Sequence, residues 1–255
     1  MKIATWNVNS LRVRLPHVLT WLNDVKPDVL ALQEIKMIDA DFPFAAFAEV
    51  GYNAVCSGQK TYNGVAVVSR EKCTDLITDI PTLTDAQRRV LGITIGDVRI
   101  LNVYIPNGES VTSEKYQYKL NWLKEFDLLL KDNIKRYQKV VVVGDFNIAP
   151  DAIDVHDPAQ WDGKVLCSDP EREAFRAMIT AGFQDCFRQL NCTEQAFTWW
   201  DYRMNAFKRN LGMRIDHILA SAAFAADCVK CYVDPTPRGW ERPSDHAPVI
   251  AEFSL

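Results

Sequence analysis

Six separate stretches of this sequence each deliver an ionisable or amide side chain where an apolar run stops or nearly stops. They end at Asn7, at Glu34, at Tyr104, at Asp145 with Asn147, at Asp216, and at Asp245 with His246. If these ends converge, one site holds four carboxylates, two amides, a phenol and an imidazole. Carboxylates gathered away from water repel one another, and each costs several kcal/mol to desolvate, so such a cluster needs a cation. Oxygen-rich ligands suit Mg²⁺, with Mn²⁺ as a substitute, rather than zinc. The matching chemistry is metal-assisted attack of water on a phosphoester.

Roles follow from residue type. Glu34, with Asn7 close by, is the best-placed metal ligand, and Asp145, Asn147, Asp245 and His246 complete the set able to approach the ion, Asp245 having the alternative of orienting the surroundings of His246. Asp145 would accept the proton of the attacking water or hold that water in line. Asn147 and His246 would donate to phosphoryl oxygens as charge builds on them, and Tyr104 would donate to the phosphate. Asp216 would hydrogen-bond His246, fixing its tautomer and favouring its charged form.

Elements must carry these groups to one place. Residues 140–143 are four consecutive valines running into Gly144, a pattern that suits a strand buried on both faces. Side chains two apart in an extended segment point the same way, so Asp145 and Asn147 leave that strand together. Further strands are expected at 3–6, 28–34, 52–56, 64–69, 89–95, 98–104, 197–200, 214–220, 228–233 and 248–253. Helical spacing appears at 11–22, with Pro16 early enough for a first turn, at 42–50, and at 120–137. Ser168, Asp169, Pro170 and Glu171 read as a capping box opening a helix toward 179. Residues 151–167 form a long polar excursion. No repeat or low-complexity linker divides the chain, so a single domain over 1–255 is expected. Strands outnumber helices and many pair with sequence neighbours, which fits two mixed sheets packed together with helices outside.

Composition bounds the partners. The 255 residues carry a net charge of −4 and a pI near 5.6, which excludes a globally basic nucleic-acid coat but not a carboxylate-built metal site. The seven cysteines, odd in number and scattered, read as reduced thiols. Cys228 and Cys231 form a lone CxxC without the second ligand pair that zinc needs. Neither a secretory leader nor an apolar run of about 20 residues stands out, so a cytoplasmic protein without membrane contact is expected.

Trp6-Asn7-Val8-Asn9, Leu32-Gln33-Glu34, Asn63-Gly64-Val65-Ala66, the stretch from Gly144 through Asp145, Phe146 and Asn147 to Pro150, Arg214-Ile215-Asp216 and Ser244-Asp245-His246-Ala247-Pro248 together resemble the exonuclease III branch of the endonuclease/exonuclease/phosphatase superfamily. The resemblance runs from residue 2 to 253. It implies an α/β fold, a four-layer α/β/β/α sandwich, and Mg²⁺-dependent hydrolysis of DNA phosphodiesters. Family activities include 3′-to-5′ removal of nucleotides, trimming of blocked 3′ ends and incision 5′ to abasic sites. The implied partner is double-stranded DNA carrying abasic sites or 3′ ends, and no obligate protein partner is evident. The family's catalytic residues map onto the strand-end residues named above.

An acidic chain must hold DNA through local patches. Arg12, Lys36, Lys60, Arg88 and Arg89 flank the strand ends, and Asn107 follows Tyr104. The stretch 197–213 interleaves aromatics with Arg203, Lys208 and Arg209, suited to wedging into a distorted duplex. The resemblance puts Trp199, Met213 and Ile215 around a pocket for a sugar lacking its base, and Trp200 is expected to be core. Two rival readings stand beside this one. A superfamily phosphatase acting on inositol or lipid phosphates should carry an arginine soon after the Asp-x-Asn pair and an Asp-Arg where this chain has Asp216-His217. A non-catalytic DNA-binding protein should have lost some of the carboxylates.

Overall fold

The computed structural model describes residues 1–254. Fourteen strands are found among them: β1 (Lys2–Asn7), β2 (Val29–Gln33), β3 (Asn53–Ser57), β4 (Val65–Ser69), β5 (Thr74–Ile77), β6 (Val90–Ile95), β7 (Val98–Tyr104), β8 (Lys139–Asp145), β9 (Phe183–Asp185), β10 (Trp199–Trp200), β11 (Gly212–Met213), β12 (Asp216–Ser221), β13 (Cys228–Val233) and β14 (Val249–Phe253). Between them run α1 (Leu11–Val25), α2 (Phe44–Glu49), α3 (Glu114–Arg136), α4 (Pro158–Trp161), α5 (Asp169–Thr180), α6 (Cys186–Leu190) and α7 (Ala222–Ala225).

The strands form two mixed six-stranded sheets, ordered β13-β14-β1-β2-β4-β3 and β5-β6-β7-β8-β12-β9, with β10 and β11 as a separate ribbon. Alternation along β8 shows how the layers stack. Val141 and Val143 face the other sheet, packing in one cluster with Ile3, Val29, Ala31, Val65 and Val67. Val140 and Val142 face outward onto Trp122, Phe126 and Leu130 of α3 and onto Phe175 and Met178 of α5. On the opposite flank, Val18, Trp21 and Leu22 of α1 cover Ala4, Leu30 and Leu32. The order is helix, sheet, sheet, helix, as expected, and the valine run has no polar alternation because both its faces are buried.

A polar bridge locks the sheets in register. Gln33 Nε2 donates to Asn102 Oδ1 at 2.8 Å and to Thr5 Oγ1 at 2.9 Å. Asn102 Nδ2 in turn donates to the carbonyls of Leu32 and Ala66 at 3.0 and 2.8 Å. Unlike dispersion contacts, such bonds are lost on a one-residue slip, and leaving them unmade in the interior is costly.

Several boundaries differ from the sequence expectation. α3 begins at Glu114, because Ser113 Oγ accepts the Tyr116 N–H and caps the helix ahead of its apolar stripe. The strand expected at 214–220 starts at Asp216, since Arg214 leaves the ladder to bond Asp154 and Asp185. The strand expected at 197–200 shortens to a two-residue ribbon. β5, β9, α6 and α7 are all six residues or fewer and gave no periodic signal. The expected capping box is present, with Glu171 accepting the Ser168 N–H.

Candidate active site

Strand register brings the first three groups together. β7 and β8 run parallel with Tyr104 opposite Asp145, and β12 pairs antiparallel with β8 so that Asp216 lies opposite Asp145. Three strand ends thus present a phenol and two carboxylates in a row, Asp145 in the middle. The other sheet supplies Asn7, opposite Gln33, and then Glu34 one residue beyond it. The two halves meet at Asn7, whose Nδ2 donates to Glu34 Oε1 at 2.8 Å and to Asp145 Oδ2 at 2.9 Å.

The backbone is bent where these side chains leave the sheets. Glu34 and Asn147 adopt left-handed conformations, with φ of 51° and 50°. Asn tolerates this region, whereas Glu does so at a cost, and such strain collects at functional sites. Gly144 has φ of 148°, and a Cβ there would stand 1.9 Å from the Val103 carbonyl oxygen. The valine run therefore ends in glycine because β7 passes too close for any side chain.

Charge is tightly arranged. Asp145 is 1% exposed, and burial pushes its carboxyl up to about 7 against the opposing pull of His246, with Asp216 and Glu34 adding to the rise. Burial works against a charged His246, but the carboxylates of Asp216 and Asp145 outweigh it and push the imidazole up to about 10. His246 Nδ1 lies 2.8 Å from Asp216 Oδ2, and its Nε2 lies 3.7 Å from Asp145 Oδ2. Burial, and then the carboxylates of Glu34 and Asp145, hold the Tyr104 phenol well above its ordinary value, so it stays a donor.

Ligand atoms of Glu34, Asp145 and His246 all lie within 4.8 Å of one another. A buried carboxylate pushed up to about 7 beside a second carboxylate is an arrangement that a divalent cation would relieve, so the donor set fits a metal. The remaining expected ligands sit differently. Asn7 has its amide N–H groups on the two carboxylates, and its Oδ1 accepts the Asn9 N–H at 3.0 Å. Asp245 is outside the group of three, and its oxygens accept from Asn9 Nδ2 and Trp199 Nε1, both at 3.0 Å. Asn147 Nδ2 donates to the Ile105 carbonyl, and its Oδ1 accepts from Asn107 Nδ2 at 3.0 Å.

The expected DNA contacts divide into surface and support. Lys36 Nζ lies 2.9 Å from Glu34 Oε2 and 2.6 Å from Asn9 Oδ1, at the edge of the site. Arg12 is exposed and pairs with Asp41 at 3.3 Å, and Lys60 is exposed in the loop before β4. Arg89 differs from expectation. It is largely buried, bonded to Gln87 and to the Tyr104 carbonyl, with its guanidinium 4.8 Å from the Tyr104 ring centre, so it braces Tyr104 at the wall of the cleft beside the site. Met213 and Ile215 are 0% and 2% exposed. They pack beneath the half-buried Trp199 with Leu166 and Val155. Trp200 is core, packed with Phe197 and Phe207. Beside the site opens a cleft of about 520 Å³ lined by Tyr62, Arg89, Tyr104, Asn107, Lys115 and Tyr118. Asn9 went unremarked as a site residue in the sequence, although it bonds Lys36, Asp245 and, through its backbone, Asn7. Its signal was there: it stands two residues after Asn7, as Asn147 does after Asp145.

Comparison with known proteins agrees with this geometry. The Endonuclease/Exonuclease/phosphatase family matches residues 4–246. Exodeoxyribonuclease III of Haemophilus influenzae is 35% identical over 99% of this chain and 100% of its own length. The DNA repair nuclease APEX1 of Danio rerio is 30% identical over 98% of this chain and 81% of its own length. Among solved structures, the 3′ phosphatase NExo from Neisseria bound to a product DNA hairpin superimposes with a TM-score of 0.99 at 48% identity, covering 100% of both chains. An AP endonuclease from Archaeoglobus fulgidus gives a TM-score of 0.96 at 40% identity, again over 100% of both chains.

Proposed function

The chain belongs to the endonuclease/exonuclease/phosphatase family, and on that premise we propose that it is a DNA-repair nuclease hydrolysing phosphodiesters of duplex DNA with Mg²⁺ as its ion. The observation that carries this reading is the position of Asp145, held by Asn7 to Glu34 on one side and opposed by His246 and Asp216 on the other.

Glu34 and Asp145 would hold the cation, with Mn²⁺ a workable substitute. When bound, it would offset their charge and polarise a phosphoryl oxygen. Asp145 holds the attacking water in line and takes its proton, a role open to a buried carboxylate beside Asn7 and His246. His246, kept cationic by Asp216, donates from Nε2 to a non-bridging oxygen as negative charge develops. Asn147 and Tyr104 donate to the same phosphoryl group from the β7 side of Asp145. Asn7 and Asp245 act by position: Asn7 keeps the two carboxylates apart, and Asp245 aims Trp199. Lys36 supplies a cation to the DNA backbone beside Glu34.

The substrate is double-stranded DNA with a 3′ end, and incision 5′ to abasic sites accompanies it. Support comes from the names of the relatives and from the half-buried Trp199 standing over the Met213–Ile215 floor. One domain spanning 1–255 carries the activity. None of the seven cysteines is in a disulfide, which suits the reducing cytoplasm, and among the described residues no helix is long and apolar enough to cross a membrane. The test is an end-labelled duplex bearing one internal abasic site, incubated with Mg²⁺. Laddering from the 3′ end and a single internal cut are the two products expected. An intact substrate would overturn the proposal.

A further inference from the structure

Lys119 is fully buried in the second turn of α3, and so is its partner Glu171 in the first turn of α5, with Nζ 2.5 Å from Oε1. A lysine without any solvent contact is rare, because taking the charge out of water costs several kcal/mol unless every proton finds an acceptor. Here all three do. Besides Glu171, Nζ donates to the Asn147 carbonyl at 2.6 Å and to the Asn107 carbonyl at 3.2 Å. Those two carbonyls belong to the loops that leave β7 and β8, and the side chains of the same two residues bond to each other. Glu171 extends the tie to a third loop. It accepts the Leu166 N–H at 3.0 Å and the Ser168 N–H at 3.1 Å.

We propose that Lys119, with Glu171, is a positioning residue for the hydrolytic site: its ammonium clamps the Asn107 and Asn147 loops so that the Asn147 amide faces the scissile phosphate. This rests on the nuclease reading above. Three physical points carry it. The Asn147 backbone turns left-handed at φ 50°, a region that Asn tolerates and that swings its carbonyl onto Nζ. Its carbonyl points away from the site, into the protein, and Nζ is its partner. A helix-borne lysine is a rigid anchor for loops whose other ties near Asn147 are the two hydrogen bonds of its own side chain, to the Ile105 carbonyl and from Asn107 Nδ2. A fold needing only stability would do as well with an apolar pair of the same volume, since buried ion pairs seldom stabilise relative to such a pair. What an apolar pair cannot do is fix two carbonyl oxygens from different loops at one point.

The chemistry asked of Lys119 is electrostatic and geometric. It touches neither substrate nor cation, so its removal should lower kcat while leaving duplex binding alone. The test compares wild type, Lys119→Met and Lys119→Met/Glu171→Gln on an end-labelled duplex with Mg²⁺, together with thermal unfolding of each. The single change strands a buried carboxylate and lowers the unfolding temperature, and the double change recovers much of that loss. In both, kcat is expected to fall about 100-fold, the cost of misplacing a reacting group by about 1 Å, with KM for the duplex within about threefold of wild type. Recovery of kcat along with thermal stability in the double variant would overturn the proposal, because the pair would then be structural only. Should Lys119→Met fail to fold, Glu171→Gln keeps the packing and removes the counter-charge, and about a tenfold loss of kcat at unchanged KM is expected. A value within twofold would count against the clamp. An inactive wild type would instead refute the nuclease reading itself, so the two failures are separable.

Discussion

His246 Nδ1 stands 2.8 Å from Asp216 Oδ2, while the other oxygen of that carboxylate, also buried, has no protein partner. One aspartate therefore spends its charge on a single imidazole. With Asp145 close behind, the result is a histidine that stays cationic far above its ordinary range.

In the proposed mechanism this pair sets the alkaline limit of activity. The His246 imidazole is pushed up to about 10, so its donor form persists through neutral pH and is lost as pH rises through that value. In Asp216→Asn the charge partner disappears and the alkaline limb of kcat should move to lower pH, with kcat at pH 7 down about 100-fold or more. A pH–rate profile of wild type and variant with Mg²⁺ checks both. An unmoved alkaline limb would mean that His246 does not work as a cation.

Acid stability turns on a different histidine. His217 is buried, with Nε2 at 2.8 Å from the Ile148 carbonyl and Nδ1 at 3.0 Å from the Arg214 guanidinium. Burial first, then Arg214, pushes it down to about 4. The unfolded chain takes up this proton near pH 6.5 and the folded chain only near 4, so stability falls as pH falls across that window. The drop amounts to about 3 kcal/mol from this group alone. Urea midpoints of wild type and His217→Gln at pH 7 and pH 4.5 isolate the contribution as a double difference. The variant should lose less on acidification, and equal losses would contradict the assignment.

The sheet ends were legible in the sequence because each is an apolar run meeting a polar residue, a strictly local pattern. The valine run before Asp145 and the Ser168–Glu171 capping box are of this kind, and both are in the structure. The contacts that decide geometry were not legible. Gln33 meets Asn102 across 69 residues, and Lys119 meets Glu171 across 52. Nothing near either residue marks it as a bridge. The burial of Arg89 and Met213 was hidden for a similar reason. A cation near a strand end or a methionine beside an aromatic cluster reads alike whether it faces DNA or the core.

The bridge between the sheets gives a third prediction. Asn102→Leu removes the donors that satisfy the Leu32 and Ala66 carbonyls and leaves Gln33 Nε2 without one acceptor. Stranded polar groups in the interior should cost about 2–4 kcal/mol. Chemical denaturation measures the loss. Because Gln33 directly precedes Glu34, kcat should fall as well, even at temperatures where the variant is fully folded.

Gly144 gives a sharper one. With a Cβ built 1.9 Å from the Val103 carbonyl oxygen and φ at 148°, Gly144→Ala must push β7 away from β8. A loss of about 4 kcal/mol or more is expected, read as a collapse of the thermal transition. A variant as stable as wild type would mean that the strands are not packed as described.

The central claim is that Asp145 and Glu34 form one cation-dependent hydrolytic centre. Single-turnover cleavage of an end-labelled duplex, with Mg²⁺ and again with EDTA, by wild type and by Asp145→Asn, tests it most directly. Wild type should shorten the labelled strand only with the cation, and the variant should be slower by about 1,000-fold or more. Cleavage by Asp145→Asn within about tenfold of wild type, or wild-type cleavage undiminished by EDTA, would contradict the account.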